Sequence, residues 1–330
     1  MFWAGPALSA YEELCLKSFV ARGHQVLLYA HTPLPWVPDG VTQLDAMEIL
    51  PTKELHQFVF PNGETAPTIH ANLFRYEALR QHGGWYCDAD VVLLRDDPPD
   101  DHSYFAWEDD TSINTAVLCF PPDAPLMRAA AAQAQTLMQA TVWGMSGPRL
   151  LTRLAHELGL ASAARPWTSA YPVRTTEVLK LFDPNHREEL EERLDGADFL
   201  HLWNQIWRRI RIPKELGPPE GSYLDALFRQ FDVRVPPYAR LSHRAVASWF
   251  YDFNLLADRR REREAPPPAP QPAPEPPCPD ERLVQRVAEL TAALDEARWE
   301  RDELLRSTSW RITRPLRVAL DRLRALRATR

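Results

Sequence analysis

The sequence lacks a secretory signal, and none of its apolar runs reaches the ~18 residues that a membrane-spanning helix needs. We therefore expect a cytoplasmic protein rather than a secreted or integral membrane protein. A basic charge balance is also missing, because the 330 residues carry a net charge of -7 at pH 7. That charge argues against bulk binding to nucleic acid.

Cysteine and lysine are both scarce. The four cysteines form no Cys-x-x-Cys pair, and Cys15, Cys87 and Cys119 lie in apolar runs, so we expect reduced, buried thiols. Only four of the 38 basic residues are lysine, while 31 residues are proline. A chain so rich in arginine and proline is typical of a GC-rich genome, so single arginines or prolines carry little functional weight.

Residues 1–257 have the pattern of one α/β domain, in which helical and strand-like segments alternate. The periodicity predicts helices over residues 9–21, 68–81, 124–140 and 148–158. Short apolar runs predict strands over residues 25–30, 104–107, 116–120 and 199–203. The pair Gly83-Gly84 is expected to end the second helix.

Two further segments follow the domain. Residues 258–280 are interpreted as a linker, since nine of the fifteen residues from 265 to 279 are proline, and such a segment is extended and semi-rigid. In residues 281–306, apolar residues recur at spacings of four and three, interrupted only by Arg301, and this pattern predicts a short coiled coil and a homodimer. A single amphipathic helix that docks on the main domain is the alternative.

The final segment, residues 307–330, is strongly basic. It holds seven arginines and one aspartate, a net charge of +6, and Leu316, Leu320, Leu323 and Leu326 fall near one helical face. This pattern predicts a basic amphipathic helix in peripheral contact with the anionic inner membrane. A solvated tail is the alternative.

Asp88 and Asp90 carry the clearest chemical signal. They stand two residues apart in an apolar, strand-like run, and a strand would place both on the same face. Two buried like charges are costly unless a cation compensates them. Mg²⁺ and Mn²⁺ are typically held by one or two carboxylates plus substrate phosphates. The pair therefore predicts a site for Mn²⁺ or Mg²⁺ and a nucleotide.

Two motifs carry a family resemblance: Asn72-Leu73-Phe74-Arg75-Tyr76, and Gly83-Gly84-Trp85-Tyr86-Cys87-Asp88-Ala89-Asp90. Together they resemble glycosyltransferase family 32, the Asp-x-Asp sugar transferases that include bacterial capsular and lipopolysaccharide enzymes. Stretches that begin at Trp3, Ser18, Ile113, Gly147 and His201 are also similar to the bacterial branch, so the resemblance covers roughly residues 2 to 240.

The resemblance implies a GT-A-like, Rossmann-type nucleotide-sugar domain and a metal-dependent retaining transfer from a nucleoside-diphosphate sugar. The implied acceptor is a surface glycan, free or lipid-linked. Asp90 would bind the metal, and Asp88 would contact the ribose, the sugar or the metal shell. Asn72, Arg75 and Tyr76 would hold the donor or order Asp88.

Four other residues receive roles from the resemblance, each with a structural alternative. Trp3 would lie near the nucleotide base, unless it only packs in the core. His201 would complete the metal shell, unless it is a structural histidine. Glu108 would lie beneath the anomeric carbon or on an acceptor hydroxyl, unless it belongs to an acidic loop. Asn114 would lie near the acceptor.

The tail carries a second resemblance. Residues 307–317 resemble a Ser-Trp-Arg-x-Thr-x-Pro-Leu-Arg sequence that recurs beside coiled coils in bacterial polysaccharide glycosyltransferases. Family members usually have several residues before the tryptophan that corresponds to Trp3, so we expect a truncated first strand or an upstream start. Two rival functions stay open, a nucleotidyltransferase that uses the aspartate pair and a non-catalytic scaffold built on the coiled coil.

Overall fold

A computed structural model describes residues 1–51, 67–96, 102–137, 145–250, 285–294 and 296–297. The chain divides into two units, Met1–Glu264 and Ala265–Arg330. Helices and strands alternate through the first unit, so the predicted α/β class is confirmed. The predicted linker of residues 258–280 and the basic tail of residues 307–330 lie outside the described residues.

Three small sheets organise the first unit. The first is parallel, with the order β1-β2-β3, and the other two are the antiparallel pairs β4-β6 and β5-β7. The strands are β1 (Phe2–Trp3), β2 (Val26–Ala30), β3 (Val41–Asp45), β4 (Gly84–Cys87), β5 (Val91–Leu93), β6 (Val117–Phe120) and β7 (Phe199–His201). Two pairings matter for the site, since Trp3 lies opposite Ala30 and Val91 lies opposite His201.

Eight α-helices are described in this unit, and α1 begins with a side-chain cap. They are α1 (Ala10–Val20), α2 (Pro67–His82), α3 (Pro125–Thr136), α4 (Pro148–Glu157), α5 (Trp167–Ala170), α6 (Arg187–Leu194), α7 (Asn204–Ile210) and α8 (Tyr223–Gln230). Short 3-10 helices lie at Ala46–Glu48, Ala161–Ala163, Val178–Phe182 and Pro184–His186. At the start of α1, Ser9 and Glu12 form a capping box that satisfies otherwise unpaired N–H groups.

Glycine ends α2 as predicted. Gly83 has φ 66° and Gly84 has φ 81°, a region in which residues with a Cβ are strained. A Cβ on Gly83 would also lie 2.6 Å from the backbone nitrogen of Pro122. The two glycines therefore allow the chain to reverse directly from α2 into β4.

Two strand predictions were too long. Residues 104–107 form only isolated bridges, such as Tyr104 with Cys119, and β7 ends at His201 instead of residue 203. The early end of β7 has a local cause, because Trp203 has φ 58° and ψ 48°, a left-handed conformation that no strand accommodates. The helix predicted to residue 140 ends at Thr136, and residues 138–140 lie outside the described residues.

In the part of the chain that the structure describes, the core consists of two clusters of buried apolar side chains. One surrounds α1, β5 and β7, and the other joins α2 to α3 and α4. Cys15, Cys87 and Cys119 are free and buried, as predicted. Burial raises the pKa of Cys15 well above its ordinary value and that of Cys87 to about 12, so both thiols stay protonated.

In the second unit, residues 285–294 are helical. Val287, Leu290 and Leu294 are 59%, 57% and 52% exposed, respectively. These helical residues fall within residues 281–306, for which the coiled coil and the homodimer stay predictions. Among the described residues, no helix combines the length and the apolar character required to cross a membrane.

Candidate active site

Asp88 and Asp90 lie in a turn between β4 and β5, so the prediction that they share a strand was wrong. The turn forms because β4 pairs with β6 while β5 pairs with β7 in another sheet. The N–H of Val91 donates to the carbonyl of Asp88 at 3.1 Å and closes the turn. The tight reversal, rather than strand alternation, brings the two carboxylates together.

Arg75 holds Asp88 from the side of α2. Its Nη2 donates to Oδ1 and Oδ2 of Asp88 at 2.9 and 3.2 Å, while Nη1 donates to the hydroxyl of Thr115. The Arg75 side chain is 6% exposed and that of Asp88 is 25% exposed. Burial raises the pKa of Asp88; Arg75 opposes this rise, and the charge of Asp90 adds to it.

Asp90 is held by β7 and the start of α7. Nε2 of His201 lies 3.3 Å from Oδ1 of Asp90, and the N–H of Asn204 donates to Oδ2 at 2.9 Å. Burial acts to raise the pKa of Asp90, but the charge and hydrogen bond of His201 outweigh it and lower this pKa to about 2. Asp90 is therefore ionised throughout the physiological range.

His201 lies at the end of β7, where its ring contacts one aromatic ring edge-on and another at a tilt. Its centroid lies 4.1 Å from that of Trp203 and 5.8 Å from that of Tyr171. Burial alone would lower the pKa of His201, but Asp90, and then Asp88 and Glu108, raise it above its ordinary value. Its Nδ1 is buried without a hydrogen-bond partner among the described residues.

Asp88, Asp90 and His201 each offer a ligand atom, and these three atoms lie within 4.8 Å of one another. Two carboxylates and one imidazole form a donor set that suits a divalent transition ion such as Mn²⁺, whereas Mg²⁺ prefers oxygen ligands. The side chains present fit the predicted metal. Without a cation, Arg75 and His201 would have to compensate the negative charge of the two carboxylates.

Glu108 and Asn114 are linked to the Asp88 turn by a chain of hydrogen bonds. Nδ2 of Asn114 donates to Glu108 at 2.5 Å, and its Oδ1 accepts from the N–H of Ala116 at 2.7 Å. The carbonyl of Ala116 in turn accepts from the N–H of Asp88 at 2.8 Å. Burial raises the pKa of Glu108, partly offset by the bond from Asn114. These contacts connect both predicted acceptor-side residues to the aspartate turn.

A cleft of about 1090 Å³ has Trp3 in its wall. Gly5 lies against the indole, because a Cβ there would come within 2.8 Å of a ring carbon of Trp3. Asn204, whose N–H holds Asp90, also lines the cleft, together with Arg208, Arg211 and Lys214. The cleft therefore combines an aromatic side chain, basic side chains and one residue, Asn204, that also contacts the acidic cluster.

Asn72 and Tyr76 make other contacts. The amide of Asn72 donates to the hydroxyl of Ser146 at 3.1 Å, and the hydroxyl of Tyr76 donates to the carbonyl of Gly147 at 3.4 Å. Both residues are buried, and Tyr76 is fully so. Of the α2 residues assigned to the donor, the structure therefore brings only Arg75 into contact with the acidic pair.

Glu12, Asn204 and Lys214 received no role in the sequence-based prediction. Glu12 accepts hydrogen bonds from the side chains of Asn204 and Lys214, and so connects α1 to the residue that holds Asp90. The spacing Ser9-x-x-Glu12 is a recognisable capping-box signal, but it predicts only a helix start. No local pattern predicts the contacts of Glu12 with Asn204 and Lys214.

A second cavity has a volume of about 290 Å³. Its walls include residues 24–27, residues 85–87 of β4, and side chains of α1 and α2. The lining residues are mainly apolar and include no carboxylate. This cavity does not fit a metal or a phosphate, so the cleft beside Trp3 is the better candidate for the active site.

Comparison with known proteins gives limited similarity. No family model matches the chain. A relative, the lactosylceramide 4-alpha-galactosyltransferase of Rattus norvegicus, is 25% identical over 186 residues, which cover 53% of this chain and 48% of that protein. The chain thus spans about half the length of the curated relative that it matches.

Among solved structures, the PaToxG glycosyltransferase overlaps with 48% of this chain and 67% of its own, at 13% sequence identity and a TM-score of 0.36. That degree of overlap does not establish a common fold.

Proposed function

We propose that this protein is a metal-dependent, retaining glycosyltransferase with a GT-A-like domain. It would move a sugar from a nucleoside-diphosphate sugar to a surface glycan. The observation that carries the proposal is the convergence of Asp88, Asp90 and His201, a cluster that Asn204 links to the cleft walled by Trp3. The cluster offers ligands for a metal, and the cleft offers an aromatic side chain for a base and cations for phosphates.

The dimensions of the cleft support a nucleotide sugar as the ligand. Its volume of about 1090 Å³ is that of a large small-molecule site. The indole of Trp3 offers a face on which a nucleobase can stack. Arg208 and Arg211 add positive charge along the same wall, which suits an anionic ligand.

The relative supports the class of acceptor. Its name describes transfer of galactose to lactosylceramide, a glycan that is joined to a lipid. We extend only the general chemistry to this chain, which is the formation of a glycosidic bond on a glycan, free or lipid-linked.

Each residue of the site has a defined task in the proposed reaction. A divalent ion would neutralise the charge that develops on the departing diphosphate. Asp90 stays ionised to bind that ion, because His201 and the N–H of Asn204 stabilise its charge. Arg75 fixes the orientation of Asp88. Glu108, oriented by Asn114, lies on the side from which we propose that the acceptor enters.

A Mn²⁺-dependent hydrolysis screen across a panel of nucleotide sugars tests the proposal. We expect release of the sugar from at least one of them, and a loss of at least ~100-fold in rate for Asp90→Asn. Asp123→Asn is the matched control, since Asp123 is an exposed acid that pairs with Arg128 on the surface.

Two results would count against this function. Absence of sugar release by a folded protein, together with nucleotide transfer to an acceptor, would favour the nucleotidyltransferase. Retention of full cellular function by the double variant Asp88→Asn with Asp90→Asn would favour a non-catalytic scaffold.

A further inference from the structure

Lys214 occupies a defined position on the wall of the cleft. Its Nζ lies 5.6 Å from the centroid of the Trp3 ring, and its side chain is 25% exposed. The ammonium group forms an ion pair with Glu12. Arg208 and Arg211 line the same cleft but are exposed, and no ion pair among the described residues fixes either of them.

Glu12 has no freedom to move away from this pair. Its side chain is 1% exposed, and it accepts from the N–H and hydroxyl of Ser9 at 2.9 and 2.6 Å. Nδ2 of Asn204 donates to it at 2.7 Å, and Lys214 is the fourth donor. A buried carboxylate with four donors is a rigid anchor, because each bond restrains it from a different part of the chain.

The anchor reaches the acidic cluster through Asn204. The side chain of Asn204 donates to Glu12, while its backbone N–H donates to Asp90. Lys214 therefore lies between Trp3, in the wall of the cleft, and Asn204, which holds Asp90. The positive charge of Lys214 acts on Asp90, since it contributes to lowering the pKa of Asp90.

We propose that Lys214 is the residue that selects a nucleoside diphosphate over a monophosphate, and that Glu12 is its positioning residue. The inference rests on the proposed function, because it requires that a nucleotide enters this cleft. A fixed cation stabilises a bound diphosphate more than a monophosphate, because the diphosphate places an additional negative charge between the base and the acids. Without Glu12, the flexible stem of lysine would have to be ordered when the ligand binds.

Binding of Mn²⁺ alone separates this role from a merely structural one. Lys214→Met removes a positive charge near Asp90, so Mn²⁺ should bind about fivefold more tightly than to the wild type. Glu12→Gln removes a negative charge and should weaken Mn²⁺ binding by about the same factor. Structural damage to the site would instead weaken Mn²⁺ binding in both variants.

The second measurement is calorimetric titration of the Mn²⁺-loaded full chain with the diphosphates of uridine, guanosine, adenosine, cytidine and thymidine and with the matching monophosphates. For the diphosphate that binds, Lys214→Met should reduce the preference over its monophosphate about tenfold, and Lys214→Arg should retain most of it. Glu12→Gln should reduce the preference in part. Glu13→Gln is the control, because Glu13 is the next residue on α1 and pairs with Lys17 instead.

The outcomes separate the two proposals. If the wild type binds a diphosphate and Lys214→Met keeps the full preference, the assignment of Lys214 is overturned while the proposed function stands. If Lys214→Met loses the preference and Glu12→Gln matches the wild type in both measurements, Glu12 is not the positioning residue. If the wild type binds no nucleotide of the panel, both the assignment and the proposed function are overturned.

Discussion

Replacing Arg75 with methionine should destabilise the metal-free protein by an amount that depends on pH. The change keeps much of the side-chain volume but removes the charge that faces Asp88. Asp88 would then be a largely buried carboxylate next to Asp90, with its strongest partner gone. We expect the free energy of unfolding to fall by more than it does when an ordinary buried hydrogen bond is removed, because the unpaired carboxylate of Asp88 lies next to a like charge.

The magnitude follows from the burial of the pair. Breaking a buried ion pair by removing one partner costs about 3–5 kcal/mol. The Asp88 side chain is 25% exposed, so solvent relieves part of this penalty, and about 3 kcal/mol is the appropriate estimate near neutral pH.

The pH dependence has a definite sign. The pKa of Asp88 is already raised in the folded protein, and the loss of Arg75 would raise it further. Between the unfolded pKa of about 3.9 and this raised folded pKa, the folded state binds more protons than the unfolded state. The free energy of unfolding of the variant should therefore fall as pH rises through that interval, and the deficit should be small below about pH 4.

Denaturant unfolding in EDTA at several pH values between 4 and 8 measures this deficit. The double variant with Asp88→Asn should recover much of the stability lost at pH 8, because it removes the uncompensated charge. An equal deficit at both ends of the pH range, with no recovery in the double variant, would show that Arg75 contributes only packing and that the ion-pair argument is wrong.

Two further predictions address parts of the chain away from the acids. Gly5→Ala should displace the indole of Trp3 and lower nucleotide affinity about tenfold, the scale of one base-stacking contact, with little change in thermal stability. Isothermal titration together with thermal unfolding would check it, and unchanged affinity would remove Trp3 from the site. Deletion of residues 307–330 should shift the protein out of the membrane fraction, and unchanged fractionation would contradict the role of the tail.

Local sequence signals predicted the local structure well. The apolar periodicity predicted a helix over residues 9–21, and the structure has α1 at Ala10–Val20. The pair Gly83-Gly84 predicted the end of α2 because positive φ is accessible to glycine and costly for other residues. Both signals depend on residues that are close together in the sequence, so the fold of the rest of the chain does not alter the local structure that they predict.

The aspartate pair shows how a site hypothesis can be independent of the local structure predicted for it. An apolar run with acids at positions 88 and 90 indicates a strand, yet the chain turns there because its two halves pair with different partners, β6 and β7. Strand pairing is a long-range choice that the run itself does not encode. The functional prediction did not depend on it, since a turn can also direct two carboxylates into one site.

The limits of prediction are clearest for contacts within α2 and across the chain. Asn72 and Arg75 are three residues apart and share a helical face, but Asn72 contacts Ser146 whereas Arg75 contacts Asp88. The contact between Glu12 and Lys214 joins residues that are 202 positions apart. No periodicity relates such residues, and only the packing of α1 beside α7 makes the pair. Residues that adjust the charge of this site are therefore identified from the fold, whereas the residues that form the aspartate motif are identifiable from the sequence.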